Sequence, residues 1–241
     1  MIISTNIEKK SLLDNLYRLN YQNANRNTGY NIPRIIHQIW LGCSLPAEYR
    51  KFTDSWKKFH PSWNYILWNE RNISSLKTPE WRLYDSIQNV AQKSDYLRYH
   101  ILNQYGGIYV DTDFECLKSF DDLMFLDFFT SAGYPPEVEL YIGLIASIPN
   151  YPLLTGLISG MKVIKGGRWK NIFQETGSYY FTRKFFEIVN TETKGVVAFP
   201  VEYFYPFPDS ERKKGNPYNY IKDCSYAVHH WAVSWSKKRR A

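Results

Sequence analysis

Asp111-Thr112-Asp113 closes a short apolar run, Ile108-Tyr109-Val110, and this pair of carboxylates is the feature of the chain best suited to chemistry. In an extended strand, residues two apart point to the same side with their Cα atoms roughly 6.6 Å apart. Asp111 and Asp113 are therefore expected to face one way, and Val110 and Thr112 the other. Two carboxylates held side by side repel unless a cation lies between them or they share a proton. Hard oxygen ligands of this kind suit Mg²⁺ or Mn²⁺, and such a metal neutralises charge building on a departing diphosphate. The plainer reading is a solvated turn at a strand end. The apolar run before the pair weighs against it, because open α/β sheets bind ligands at the carboxyl ends of buried strands.

Asp95 and Arg98 lie three apart on a helical pattern and so share a face. They make either a local surface ion pair, which is worth little, or a pair that holds sugar or ribose hydroxyls, the Asp accepting and the Arg donating. The residues alone leave both open. His37 and His229 read as strand histidines satisfied in a core. Trp231 and Trp235 fit a core or a flap over a diphosphate equally well.

The elements that must position these groups follow from periodicity. Leu12, Leu13, Leu16 and Tyr17 recur at helical spacing and predict an opening amphipathic helix; residues 20–31, rich in Asn, read as a loop. Ile35 to Leu41 and Trp63 to Trp68 are β-rich runs with a helix between them over about 46–59. Strand, helix, strand begins a βαβ unit and predicts a parallel sheet. A long helix is expected from about Pro79 to Tyr105, on Leu83, Ile87, Val90, Ala91, Leu97, Ile101, Leu102 and Tyr105, stopped by Gly106-Gly107. The strand bearing the aspartates follows at once. Further strands are expected over 195–200 and 226–231, whereas residues 135–186 mix helix and loop without clear boundaries.

Composition bounds the rest. A chain of 241 residues with 44% hydrophobic and 22% charged residues is long enough for one well-filled globular domain. Aromatic residues reach 17%, and Tyr and Trp make platforms for sugar rings and bases as well as core filling. The net charge is +7, but four of those charges are Lys237, Lys238, Arg239 and Arg240, which leaves +3 for the rest. That basic tail is either solvated or a contact for anionic lipid or polyphosphate, a peripheral membrane contact included. Cys43, Cys116 and Cys224 are far apart, with no CxxC pair, and give neither a zinc site nor a disulfide framework. No apolar run approaches the ~20 residues of a spanning helix, and the first residues lack a signal-peptide layout. A cytoplasmic protein, soluble or membrane-peripheral, is the simplest expectation. Nothing points to nucleic-acid recognition.

Ala91-Gln92-Lys93-Ser94-Asp95-Tyr96-Leu97-Arg98-Tyr99, followed by Tyr105-Gly106-Gly107-Ile108-Tyr109-Val110-Asp111-Thr112-Asp113, resembles the signature of glycosyltransferase family 32. These are the DXD sugar transferases that include the yeast initiating α-1,6-mannosyltransferase and bacterial capsular enzymes, with the clostridial glucosylating toxins as distant kin. Ile32 to Trp40 is similar to the family's opening strand, and Ala227-Val228-His229-His230-Trp231 with Ser234-Trp235 to its closing motif. The resemblance spans about residues 32–235, which divides the chain into an N-terminal helical and loop extension, 1–30, and a transferase domain, 31–241, with its basic tail.

The resemblance implies a GT-A type α/β fold: a single domain with a Rossmann-like, mixed, mainly parallel sheet flanked by helices. It implies Mn²⁺ or Mg²⁺, a UDP- or GDP-sugar donor, a glycan or other hydroxyl acceptor, and retention of anomeric configuration. Position by position it implies that Asp113 binds the metal, that Asp111 meets ribose and metal, and that Asp95 and Arg98 contact the donor sugar. Tyr109 packs near the ribose, Ile39 and Trp40 wall the base, and Trp231 lies by the nucleotide. His229, rather than His230, becomes the C-terminal metal ligand. Thr176-Gly177-Ser178 departs from the family's Thr-Gly-Pro, and Val233 stands where glycine is usual. Two rival readings are a haloacid-dehalogenase-like phosphatase, which also uses a strand-borne DxD, and a non-catalytic carbohydrate or polyanion binder.

Overall fold

A computed structural model of the chain describes residues 5–25, 29–162 and 169–232, with the side chains of 169–171 excepted. Helix α1 (Asn6–Tyr17) starts at a capping box, Thr5 with Glu8, and turns Leu12, Leu13 and Leu16 into the core. Strand β1 (Ile35–Ile39), helix α2 (Ala47–Phe59) and strand β2 (Asn64–Trp68) form the expected parallel βαβ unit, with His37 opposite Ile66. Helices α3 (Trp81–Ser86) and α4 (Val90–Tyr105) lead to β3 (Gly107–Val110) and then β4 (Phe114–Cys116). Beyond them come β5 (Phe128–Ala132), β6 (Leu140–Ser147), α5 (Pro152–Gly160), α6 (Trp169–Glu175), α7 (Ser178–Ile188), β7 (Val196–Phe199) and β8 (Ala227–His229).

Six strands make one sheet in the order β2-β1-β3-β6-β5-β7. The β1–β2, β1–β3 and β5–β7 pairs are parallel; β6 runs antiparallel to both β3 and β5. Strands β4 and β8 pair antiparallel in a separate ribbon, Phe114 opposite His229. One apolar cluster gathers α4, α5 and α7 on one face of the sheet, and a second fills the other face around Trp56, Phe114, Phe120 and Phe199. The architecture is the mixed, mainly parallel sheet with flanking helices that the sequence led us to expect.

Several elements differ from expectation. The long helix breaks at Ile87, whose backbone is extended, and Asn89 then caps α4 by accepting from the backbone N–H groups of Ala91 and Gln92. Apolar spacing runs through the break because both pieces pack into the same apolar cluster, so periodicity alone does not reveal it. Asn20 and Tyr21 are not in a loop: Arg18–Gln22 continues α1 as a π-helical turn. Asn20 there donates to the carbonyls of Thr193 and Val196, tying the segment to the β7 edge. Strand β6 lies inside the region without clear boundaries. Buried on nearly every residue, it reads as a continuous apolar run rather than an alternation, as strands covered on both faces do.

Candidate active site

The Gly106-Gly107 corner aims the site. Gly106 and Gly107 adopt φ of 64° and 90°, a region open to glycine and costly for other residues. A Cβ on Gly107 would stand 2.5 Å from the carbonyl oxygen of Ile35. The chain therefore turns from α4 straight into β3, with β3 flush against β1. Beneath the corner, His37 bonds the Gly106 carbonyl through Nε2 (2.9 Å) and accepts from Trp68 Nε1 (3.1 Å). Burial lowers its pKa to about 4 against that backbone bond, so it is a neutral structural residue, as expected.

Strand β3 stops at Val110, and Asp111-Thr112-Asp113 is a turn closed by Phe114 N–H donating to the Asp111 carbonyl (3.2 Å). The two aspartates do not share a side by strand alternation, as the sequence reading supposed; the turn brings them together. Asp111 is pinned from beneath: Gln38 Nε2 donates to its carbonyl (3.2 Å) and Tyr109 Oη to its Oδ1 (2.6 Å). Asp113 is wrapped by the end of β8. Its Oδ1 meets His229 Nε2 at 3.0 Å, its Oδ2 accepts from Ala232 N–H at 2.8 Å, and its carbonyl accepts from His230 N–H. Trp231 takes a positive φ of 51° at the bend that delivers the Ala232 amide, a strained conformation for a bulky residue.

Oxygen or nitrogen atoms of Asp111, Asp113 and His229 come within 4.8 Å of one another, close to twice a metal–ligand bond. Two hard carboxylates and an imidazole, with His229 Nδ1 buried and lacking a hydrogen-bond partner, are a donor set that suits Mn²⁺ or Mg²⁺. His230 is turned elsewhere: its Nε2 bonds Glu115 Oε2 (2.9 Å) and its ring packs on Phe52.

Asp95 and Arg98 are not a surface pair. Their side chains are 8% and 6% exposed, and Arg98 Nη2 stands 3.0 Å from Asp95 Oδ1 and 3.4 Å from Asp111 Oδ1. Arg98 Nη1 donates to the Ile142 carbonyl (2.7 Å), and the guanidinium lies over the Tyr109 ring. Asp95 Oδ2 accepts from Thr176 Oγ1 (2.9 Å), and Tyr99 Oη holds the Thr176 carbonyl (2.8 Å). A chain of one hydrogen bond and two ion pairs thus runs Thr176–Asp95–Arg98–Asp111.

Charge is distributed unevenly along this chain. Burial raises the Asp95 pKa to about 6 against the opposing pull of Arg98 and Thr176. Burial also raises Asp111, again opposed by Arg98. Asp113 falls below the usual carboxylate range: burial pushes it up, but His229 and backbone N–H groups outweigh that. Burial works against the Arg98 charge, yet Tyr109, Asp111 and Asp95 more than restore it. Two neighbouring carboxylates pushed in opposite directions are a recurring mark of functional sites.

Ile39 is buried at the end of β1, two residues beyond the His37–Tyr109 pairing, so it reaches the sheet end where Asp111 stands. Trp40 follows it, packed on Tyr49 with a buried, unpartnered Nε1. Trp231 donates from Nε1 to the Phe207 carbonyl (2.7 Å) and lays its ring 4.1 Å from that of His229. Val233, Ser234, Trp235 and the basic tail lie outside the described residues. Sequence reasoning missed Gln38, Thr176 as a partner of Asp95, and Tyr205, whose ring packs on Phe114 and His229. Only Thr176 carried a signal, its place in the Thr-Gly-Ser segment.

Comparison with known proteins adds to this geometry. Residues 46–129 match a family model described as a glycosyltransferase sugar-binding region containing a DXD motif. An uncharacterized glycosyltransferase of Acanthamoeba polyphaga mimivirus is 33% identical over 215 residues, 85% of this chain and 84% of that protein. Inositol phosphoceramide mannosyltransferase 1 of Schizosaccharomyces pombe is 26% identical over 189 residues, covering 74% of this chain and 59% of its own length. A mannosyl phosphorylinositol ceramide synthase of Saccharomyces cerevisiae is 28% identical over 203 residues, covering 77% and 54%. The chain thus spans just over half the length of these two yeast relatives. Among solved structures, the PaToxG glycosyltransferase superposes with a TM-score of 0.56 at 19% identity, covering 75% of this chain and 76% of that one. At that identity the likeness speaks to the fold.

Proposed function

This chain belongs to the family of glycosyltransferases whose sugar-binding region contains a DXD motif, and from that premise we propose that it is a retaining, metal-dependent hexosyltransferase. Its fold is of the GT-A type. The donor on this reading is a UDP- or GDP-sugar and the acceptor a glycan or other hydroxyl compound. The names of the yeast relatives make mannose the first sugar to test. We read residues 31–241 as the catalytic unit and residues 1–30 as an extension, whose helix α1 and the turn after it pack along β7.

The observation that carries the proposal is the convergence of Asp111, Asp113 and His229 at the carboxyl end of β3, with Arg98 bridging Asp111 to Asp95. Asp113 and His229, with Asp111, would hold Mn²⁺ or Mg²⁺, which when bound supplies charge neutralisation at the diphosphate. Ile39 and Trp40 would wall the base, Tyr109 and Asp111 the ribose, and Trp231 the diphosphate side. Asp95 spends two of about four acceptor positions on Arg98 and Thr176, and the rest would take sugar hydroxyls while Arg98 orients them. The bond from the anomeric carbon to the diphosphate breaks with its electron pair leaving on the diphosphate. The acceptor oxygen then bonds the same face of that carbon, and its proton passes to a diphosphate oxygen. Asp95 and Asp113 have both carboxylate oxygens engaged and Asp111 one of its two, which favours this same-face path over a covalent sugar–enzyme intermediate. Positioning and electrostatics would carry the acceleration. The phosphatase and the non-catalytic binder gain no support from the relatives.

The test is release of sugar from a panel of UDP- and GDP-sugars, GDP-mannose included, with and without Mn²⁺, for the native protein and Asp113→Asn. Metal-dependent release from one donor, lost in the variant, is expected. A fully active Asp113→Asn enzyme would sink the proposal.

A further inference from the structure

Tyr205 is 1% exposed, and its hydroxyl is buried without a hydrogen-bond partner. The ring has no freedom to swing away. It is boxed by Phe114 and Tyr141, each 4.9 Å between centroids, by His229 at 5.4 Å and by Trp231 at 5.8 Å. Its backbone is fixed as well: Tyr205 N–H donates to the Val201 carbonyl (2.8 Å), and Tyr134 Oη donates to the Tyr205 carbonyl (2.6 Å). Buried hydroxyls are nearly always partnered, and an exception calls for an explanation.

Gly143 supplies one. It faces the site from β6, with its carbonyl accepting from Asp111 N–H (2.8 Å). A Cβ built on Gly143 would stand 2.8 Å from Asp111 Oδ2 and 2.8 Å from Tyr205 Oη. Both oxygens therefore close over the same face of Gly143, no more than twice that distance apart, and leave no room for a larger residue at 143. Asp111 Oδ2 is also the oxygen left over after Tyr109 and Arg98 have both taken Oδ1. A phenol donor and a carboxylate acceptor that meet the same face of one glycine are the two partners that a bridging water or hydroxyl needs.

We infer that Tyr205 is a ligand-binding residue of this site, its hydroxyl donating to a ligand oxygen that in turn donates to Asp111 Oδ2, beside the face that Gly143 keeps free of a side chain. That oxygen must both accept and donate, so it belongs either to a water of the bound metal or to a ribose hydroxyl of the donor. The inference rests on the function proposed above.

Tyr205→Phe and Gly143→Ala separate the possibilities. Three quantities are read for each: thermal unfolding of the ligand-free protein, Mn²⁺ affinity by electron paramagnetic resonance, and affinity for UDP and GDP in saturating Mn²⁺ by calorimetry. Tyr205→Phe is expected to unfold at no lower temperature than the native protein, because the hydroxyl it removes has no partner there. It is expected to lose roughly tenfold in affinity, the worth of one good hydrogen bond. Loss with Mn²⁺ alone assigns the oxygen to metal-bound water; loss only with the nucleotide assigns it to a ribose hydroxyl. Gly143→Ala should lose affinity in the same arm. Native-like affinities in Tyr205→Phe, or a lowered unfolding temperature with no change in affinity, overturn the inference and leave the proposed function standing. A native protein that binds neither Mn²⁺ nor either nucleotide overturns both.

Discussion

His229 Nε2 lies 3.0 Å from Asp113 Oδ1, although 116 residues separate them. The β4–β8 ribbon makes the meeting possible by setting Phe114 opposite His229, and the amides of His230 and Ala232 then close around Asp113.

That contact gives a prediction in which adjacent histidines behave differently. His229→Ala should weaken Mn²⁺ binding at least about tenfold, since even residues behind a ligand are worth 10- to 100-fold. His230→Ala should leave it near the native value, because His230 is bonded to Glu115. Electron paramagnetic resonance titrations of the two variants decide it; equal losses would refute the assignment.

Arg98 neutralises two carboxylates at once, the buried Asp95 and the partly exposed Asp111. Arg98→Ala should cost about 3–5 kcal/mol in stability, because it leaves the buried Asp95 without its cation. Arg98→Lys should recover part of that stability and little of the transfer activity, since an ammonium lacks the planar fork that serves both carboxylates and the Ile142 carbonyl. Urea unfolding beside kcat for both variants checks the claim.

His100 offers a test of pH dependence. Its ring is 2% exposed, and burial lowers its pKa to about 4. As pH falls through 6.5 the unfolded chain takes up a proton that the folded chain refuses, so the stabilising share of this group is whole above pH 6.5 and drains away towards pH 4. Asp95, held up near 6, acts in the opposite sense below that pH, so the wild-type curve alone is ambiguous. His100→Asn isolates the group. The stability gap between wild type and variant should shift against the wild type by on the order of 3 kcal/mol between pH 7 and pH 4. A gap that does not change with pH would contradict the burial argument.

Gly107→Ala should cost about 2 kcal/mol or more, combining a positive φ with a Cβ driven into the Ile35 carbonyl. Thermal or urea unfolding measures it. A neutral substitution would show that β3 has room to move off β1.

The strands that frame the site were legible because each sits beside a strong local signal: β1 and β2 around a helix, β3 after a double glycine. Strand β6 was not, because burial on nearly every residue removes the alternation that marks a half-exposed strand. The aspartates were legible as residue types, whereas the reason given for their convergence was not: a turn, not pleat alternation, brings them together. Asp95 and Arg98 could be paired by spacing, but their burial depends on Thr176, Ile142 and Tyr109, which come from other elements. Tyr205 and Gly143 carry no motif, and only the packing of β6 against the turn at Asp111 makes them neighbours.

The pairing of β4 with β8 has a consequence for how the protein matures on the ribosome. Asp111 and Asp113 leave the exit tunnel long before His229 does, and until β8 arrives the turn lacks the imidazole and the amides that steady it. The surroundings of the turn are therefore completed late in synthesis, after every strand of the six-stranded sheet has emerged.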